Sequence, residues 1–370
     1  MKLSTENLVS IARGAAFLGT GGGGDPYIGR MLAASAIQTF GMPELIAPED
    51  LDDDATVVSV AMVGAPTVLT EKAACGDDVD LAIRRLEATI GRKADALLPI
   101  EIGGVNSMIP IMAAARLKLP LIDADGMGRA FPELQMVTFN VFGVSCTPAV
   151  VTDDHLNTLV IETHNAKRAE DLVRVASVEM GCSVIMASYP MRGLDVKQFG
   201  VHGTLTLARN IGEAIERGRS EGDPVEALLR YLQTTDYYKH SKIIFDGKVT
   251  DLRRETRQGF TMGHCTLAPL SGSPGSLELS FQNEFIVARH NGALRAVVPD
   301  LICVVDRETA EPVPVEALKY GQRLKVLGIS AAPVLRTAEA LDIMGPRCFG
   351  LDDDFVPIES INESTPSEEP

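Results

Sequence analysis

The chain has 370 residues, 45% of them hydrophobic, which exceeds the usual size of one domain and makes two domains the default. A net charge of −16, with no Lys/Arg cluster interleaved with aromatics, leaves no phosphate-backbone footprint and excludes nucleic acid as a partner. The opening MKLSTENLVSIARGAAFLGTGGGG contains no apolar run of signal-peptide or membrane-span length, so the expectation is a cytoplasmic protein with no membrane partner.

Thr5 to Leu18 places Leu8, Ile11, Ala12, Ala15 and Leu18 at helical spacing, and the glycines beyond stop that helix. Asp25-Pro26 opens a second helix, with Pro26 in its first turn. Thr56 to Val63 is a β-branched apolar run ending at Gly64-Ala65-Pro66, as a buried strand and its loop should. A helix from Val79 to Ile90, a strand from Ala96 to Ile102, a helix from Ser107 to Leu117 and a strand from Leu119 to Ile122 follow. This alternation predicts an α/β N-terminal domain with a mainly parallel sheet and right-handed crossovers. Ligands then gather at the loops leaving the strand ends, which here carry Glu71, then Glu101 and Asn106, then Asp123, Asp125, Arg129 and Glu133.

Leu134 to Val151 and Leu156 to Thr163 read as strands, and Ala166 to Gly181, Thr206 to Ser220 and Pro224 to Thr234 as helices. From about residue 240 short strands recur between turn residues, which predicts a β-rich, barrel or sandwich-like C-terminal domain with some helices. The expected division is 1–165, 166–360 and a disordered acidic tail at 361–370. The six cysteines show no C-x-x-C, and the six histidines no H-x-x-x-H, so no zinc or disulfide framework is signalled. His264 beside Cys265 makes a poor nucleophile pair, because neighbouring strand residues face opposite sides.

Three constellations carry chemistry. Gly19-Thr20-Gly21-Gly22-Gly23-Gly24-Asp25 precedes a helix, and the amides of Gly21 to Gly24 with Asp25 could hold a carboxylate, phosphate or oxyanion of a small-molecule substrate. The alternative is a tight helix–helix junction. Glu101 ends an apolar strand, where a carboxylate needs a partner or a shifted pKa, and Asn106 stands at the helix start that follows; Glu101 is a candidate general base or metal ligand, or a carboxylate receiving backbone hydrogen bonds. Asp123, Asp125, Arg129 and Glu133 crowd one loop; Asp123 and Asp125 could bind a divalent cation or polarise water, and Arg129 could pair with them or orient a substrate carboxylate. A structural ion cluster explains the same residues.

Taken together, GTGGGGDPYIG at 19–29, EIGGVNS at 101–107, DADGMGRAFPE at 123–133 and PDLICVVD at 299–306 resemble a family long called DUF917 and now described as the S-methyl thiohydantoin desulfurase family. The resemblance spans residues 5 to 358 or so and implies a hydrolase of hydantoin metabolism that removes a sulfur group from a thiohydantoin ring with thiol release. In that chemistry Glu101 or Asp125 would activate water, Arg129 or the glycine-loop amides would anchor a substrate carboxylate, Asn106 would hydrogen-bond the ring, and a divalent metal held by Asp123, Asp125 and His202 would be an optional replacement for the base. A nucleotide-using relative of hydantoinases and oxoprolinases, or a non-catalytic small-molecule-binding accessory subunit, are the competing readings. A homo-oligomer is the expected assembly.

Overall fold

The computed structural model describes residues 1–64, 68, 76–257 and 260–364. Ala65, Pro66, Glu71 and Cys75, and residues 365–370 of the expected tail, lie outside the described residues. The chain forms two compact units, Met1–Ala15 with Gly23–Asn210, and Ala16–Gly22 with the described residues from Ile211 onward.

In chain order the first elements are α1 (Thr5–Leu18), α2 (Pro26–Phe40), β1 (Leu45–Ile46), β2 (Thr56–Gly64), α3 (Asp77–Ile90), β3 (Ala96–Pro99), α4 (Ile109–Leu117), β4 (Leu121–Ile122) and β5 (Ala124–Asp125). There follow α5 (Thr138–Val141), β6 (Ala149–Thr152), β7 (Thr158–Ile161), α6 (Ala166–Glu179), β8 (Ser183–Arg192), α7 (Gly193–Phe199), β9 (Val201–His202) and α8 (Thr204–Glu221). Seven of these strands make one sheet in the order β1-β4-β3-β2-β8-β6-β7. Strands β1, β4, β3 and β2 are parallel, β6 runs the same way, and β8 and β7 run against them, so the sheet is mainly parallel as the alternation predicts. Burial explains the composition of its centre: Thr56 to Met62 of β2 and all of β3 are buried, which selects Val, Ala, Leu and Met on both faces.

Two segments depart from the sequence reading. Leu134 to Val151 is strand only from Ala149; the residues before it form the short helix α5 and loops, where Asn140, Gly143, Ser145 and Pro148 interrupt any ladder. β8, absent from the sequence reading, pairs with both β2 and β6 in mid-sheet.

The second unit continues with α9 (Pro224–Leu232), β10 (Ser241–Arg257), β11 (Phe260–Pro269), β12 (Leu277–Gln282), β13 (Glu284–His290), β14 (Ala293–Val297), β15 (Leu301–Asp306), β16 (Arg323–Ile329), α10 (Ala338–Met344) and α11 (Ile358–Ser364). Its seven strands, in the order β14-β13-β12-β11-β10-β16-β15, form a curled antiparallel half-barrel. Alternate residues such as Leu277, Leu279 and Phe281 of β12 fill its core with Phe285, Ile302, Val304 and Val326. Cys265 points into that core while His264 is exposed and meets Ser280, so the two side chains do face apart.

Candidate active site

In the first unit the carboxyl ends of β2, β3 and β4 lie side by side, where ligands collect in sheets of this kind. Side chains tie the three ends together. Asn106, in the turn after β3, accepts from the Met62 amide at 2.7 Å and donates to the Met62 carbonyl at 3.2 Å, pairing with β2 as a strand neighbour would. The same Nδ2 donates to Glu101 Oε1 at 2.7 Å. On the other side Asp125, beyond β4, accepts from the backbone amides of Ile102 (2.8 Å), Met127 (3.2 Å) and Gly128 (2.9 and 3.0 Å). Glu101 is therefore held in the middle, between an amide fixed to β2 and a carboxylate fixed to its own loop.

Glu101 is buried, and among the described residues its Oε2 has no hydrogen-bond partner. Desolvation pushes its carboxyl from 4.5 up to about 8; Asn106 pulls the other way, the Asp125 charge adds to the rise, and the Phe131 backbone opposes it. Asp125, also fully buried, is raised to about 7 by desolvation against the amides that favour its charged form. Burial thus leads both carboxyls to hold their protons to higher pH than exposed ones would. With both its oxygens committed to amides, Asp125 is the anchored partner, and Glu101 presents the open oxygen.

The other predicted residues fall elsewhere. Asp123 accepts from the Leu205 and Thr206 amides at 2.9 and 3.1 Å and from the Thr206 hydroxyl, which fixes the first turn of α8. His202 pairs Nδ1 with Glu49 at 3.1 Å and Nε2 with the Val196 carbonyl at 3.3 Å. Asp123, Asp125 and His202 thus each hydrogen-bond to different protein partners, and no group of three metal-ligating side chains forms among the described residues. Arg129 is fully buried, its Nε on the Ala130 carbonyl at 3.0 Å and its guanidinium 4.6 Å from the Phe131 ring centroid. Glu133 sits at the edge of this region with Gln135 and, at 3.5 Å, Lys167.

The glycine run is accounted for by close packing at several of its positions. A Cβ on Gly22 would lie 2.0 Å from Glu284 Oε1, and one on Gly21 2.6 Å from the Phe285 ring. The Thr20 and Gly21 carbonyls accept from the Phe285 and Val315 amides. In the first unit Gly23 and Gly104 pack backbone to backbone: the Gly23 carbonyl accepts from Val105, and a Cβ on Gly104 would stand 2.0 Å from that oxygen. Gly24 has φ +72°, and Asp25 caps α2 through the Tyr27 amide at 2.8 Å. Sequence reasoning missed the contribution of Met62, which acts through its backbone and leaves no residue-type signal. A surface cleft of about 350 Å³ in the second unit, lined by Arg217, Glu221, Ala227, Arg230, Tyr231 and Thr234, contains none of the predicted residues.

With this geometry in hand, two family descriptions match the chain: S-Me-THD-like, N-terminal domain, over residues 6–163, and S-Me-THD-like, C-terminal domain, over residues 164–358. The chain belongs to the S-Me-THD-like family. Its fold is similar to that of a protein from Chromobacterium violaceum solved by X-ray crystallography, with a TM-score of 0.81 and 22% identity over 97% of this chain and 100% of that one. No curated protein matches the chain. Among the described residues no helix is long and apolar enough to cross a membrane.

Proposed function

We propose that the protein is a hydrolase-type enzyme acting on a hydantoin-like ring, desulfurising an S-methyl thiohydantoin with Glu101 as the proton-transfer group. The family supplies the hydantoin-related substrate class. The observation that carries the role of Glu101 is a buried carboxyl with one oxygen fixed by Asn106 and the other open. With its pKa near 8, Glu101 rests protonated at neutral pH and donates to the ring nitrogen of the C=N bond, making the adjacent carbon electrophilic. The carboxylate left behind takes a proton from the attacking water, forming the C–O bond. Collapse of the tetrahedral intermediate forms the carbonyl, breaks the C–S bond and puts the hydroxyl proton on the departing thiolate by way of Glu101. Water and substrate thus become a hydantoin and methanethiol, with Glu101 restored.

The test is methanethiol release from an S-methyl thiohydantoin bearing a propionate side chain, by wild type and Glu101→Gln, with and without chelator. Release by wild type that is lost in Glu101→Gln supports the reading. Release that survives the substitution removes Glu101 from the chemistry, and no release by folded wild type removes this substrate.

A further inference from the structure

The outer side of α6 and the strand at the sheet edge carry large aliphatic side chains into solvent. Leu159 and Val160 of β7 are 46% and 50% exposed, and Val175 and Val178 of α6 are 68% and 60% exposed. β7 ends the sheet order, with β6 as its one ladder partner among the described residues. Edge strands are ordinarily protected from pairing by Lys, Pro or a bulge, and Thr158-Leu159-Val160-Ile161 has none of these. An apolar patch of this kind on a folded chain marks a contact surface.

The sequence of α6 specifies what would cover it. Arg168, Leu172, Val175 and Glu179 recur at i, i+4, i+7 and i+11, so they form one row along the helix, and all four are exposed. The row is complementary to its own reverse. Laid antiparallel on a second α6, Leu172 meets the partner's Val175 at the centre, and Arg168 meets the partner's Glu179 at both ends. A two-fold axis imposes this residue-i-to-j, j-to-i pattern, and it is the commonest symmetry of soluble oligomers.

We propose that the α6 and β7 face is the contact between two copies of this chain, with the α6 helices antiparallel across a two-fold axis. An unrelated partner would have no reason to reproduce the reversed charge order. This inference does not depend on the chemistry at Glu101.

The test is the solution mass at micromolar concentration, by light scattering, of wild type, Val175→Glu, Arg168→Glu, Glu179→Arg and the double variant Arg168→Glu/Glu179→Arg, each checked for wild-type circular dichroism. Wild type should have at least twice the chain mass. Val175→Glu and each single charge reversal should weaken association at least about tenfold, and the double reversal should restore it. A monomeric wild type, an undiminished Val175→Glu, or a double variant no better than the single reversals would overturn the proposal.

Discussion

Asn106 Nδ2 lies 2.7 Å from Glu101 Oε1, and the same amide group exchanges two hydrogen bonds with the backbone of Met62. A surface-seeking carboxylate is thereby fixed to a central strand, and its rotamer is set by the sheet. The second oxygen is left without a partner among the described residues, which is the arrangement an acid–base group needs before substrate arrives.

Glu101→Gln keeps the shape and the Asn106 contact while removing the proton. Turnover should fall by about 10²- to 10⁴-fold with the fold intact, as measured by thiol release beside circular dichroism. In wild type, activity should decline as pH rises past about 8, where Glu101 loses its proton.

The same group makes stability depend on pH. Its folded pKa of about 8 lies above the 4.5 of an ordinary glutamate, so the folded state holds a proton that the unfolded chain releases. The stability is fully present below pH 4.5 and is lost as pH rises toward 8. Thermal melts of Glu101→Gln against wild type should therefore diverge across that window in favour of the variant, by a few kcal/mol in order of magnitude at the alkaline end. Parallel curves would show that the carboxyl is not raised.

Asp123→Ala removes the acceptor of the Leu205 and Thr206 amides. It should cost about 1–2 kcal/mol in urea unfolding, the scale of a lost helix cap, and leave thiol release unaffected by chelator. A chelator-sensitive wild type that becomes insensitive in this variant would instead make Asp123 a metal ligand.

Gly104→Ala forces a side chain to φ +57° with its Cβ 2.0 Å from the Gly23 carbonyl oxygen. Backbone sits on both sides of that clash, so the expected loss is at least about 2 kcal/mol, read as a lowered melting temperature. Gly91→Ala, at a similar φ but with open space around it, is the control, and it should cost less.

Asp300 is fully buried and accepts from the Ala331 and Ile358 amides and twice from Arg336, which also reaches Glu359. Asp300→Ala should destabilise the protein by roughly 3–5 kcal/mol by leaving Arg336 without its buried partner. Protease susceptibility near α11 is the local readout.

The parallel half of the first sheet was readable because burial on both faces writes itself as runs such as Thr56 to Val63, ended by glycine. β8 was not, because Pro190 within Ser183 to Arg192 argues against a central strand, and its partner β2 lies about 130 residues earlier in the chain. Glu101 stood out as a carboxylate in an apolar stretch, and the structure gives it the raised pKa that such burial implies. The partners were hidden for a physical reason. Asn106 reaches a backbone, and Asp123 and Asp125 reach amides, and a backbone group has no letter in the sequence. Their alternation suggested a shared ligand, whereas in the fold each carboxylate completes a different turn.

The second unit includes Ala16–Gly22, a seven-residue piece nearly 200 positions before the rest of it. Within that unit the Thr20 and Gly21 carbonyls receive the Phe285 and Val315 amides, and the Phe17 carbonyl faces the Cys303 thiol. A gene cut at residue 211 would therefore encode a half-barrel whose Phe285 and Val315 amides have lost their acceptors. The protein's separable modules are thus not the segments that a linear map would draw.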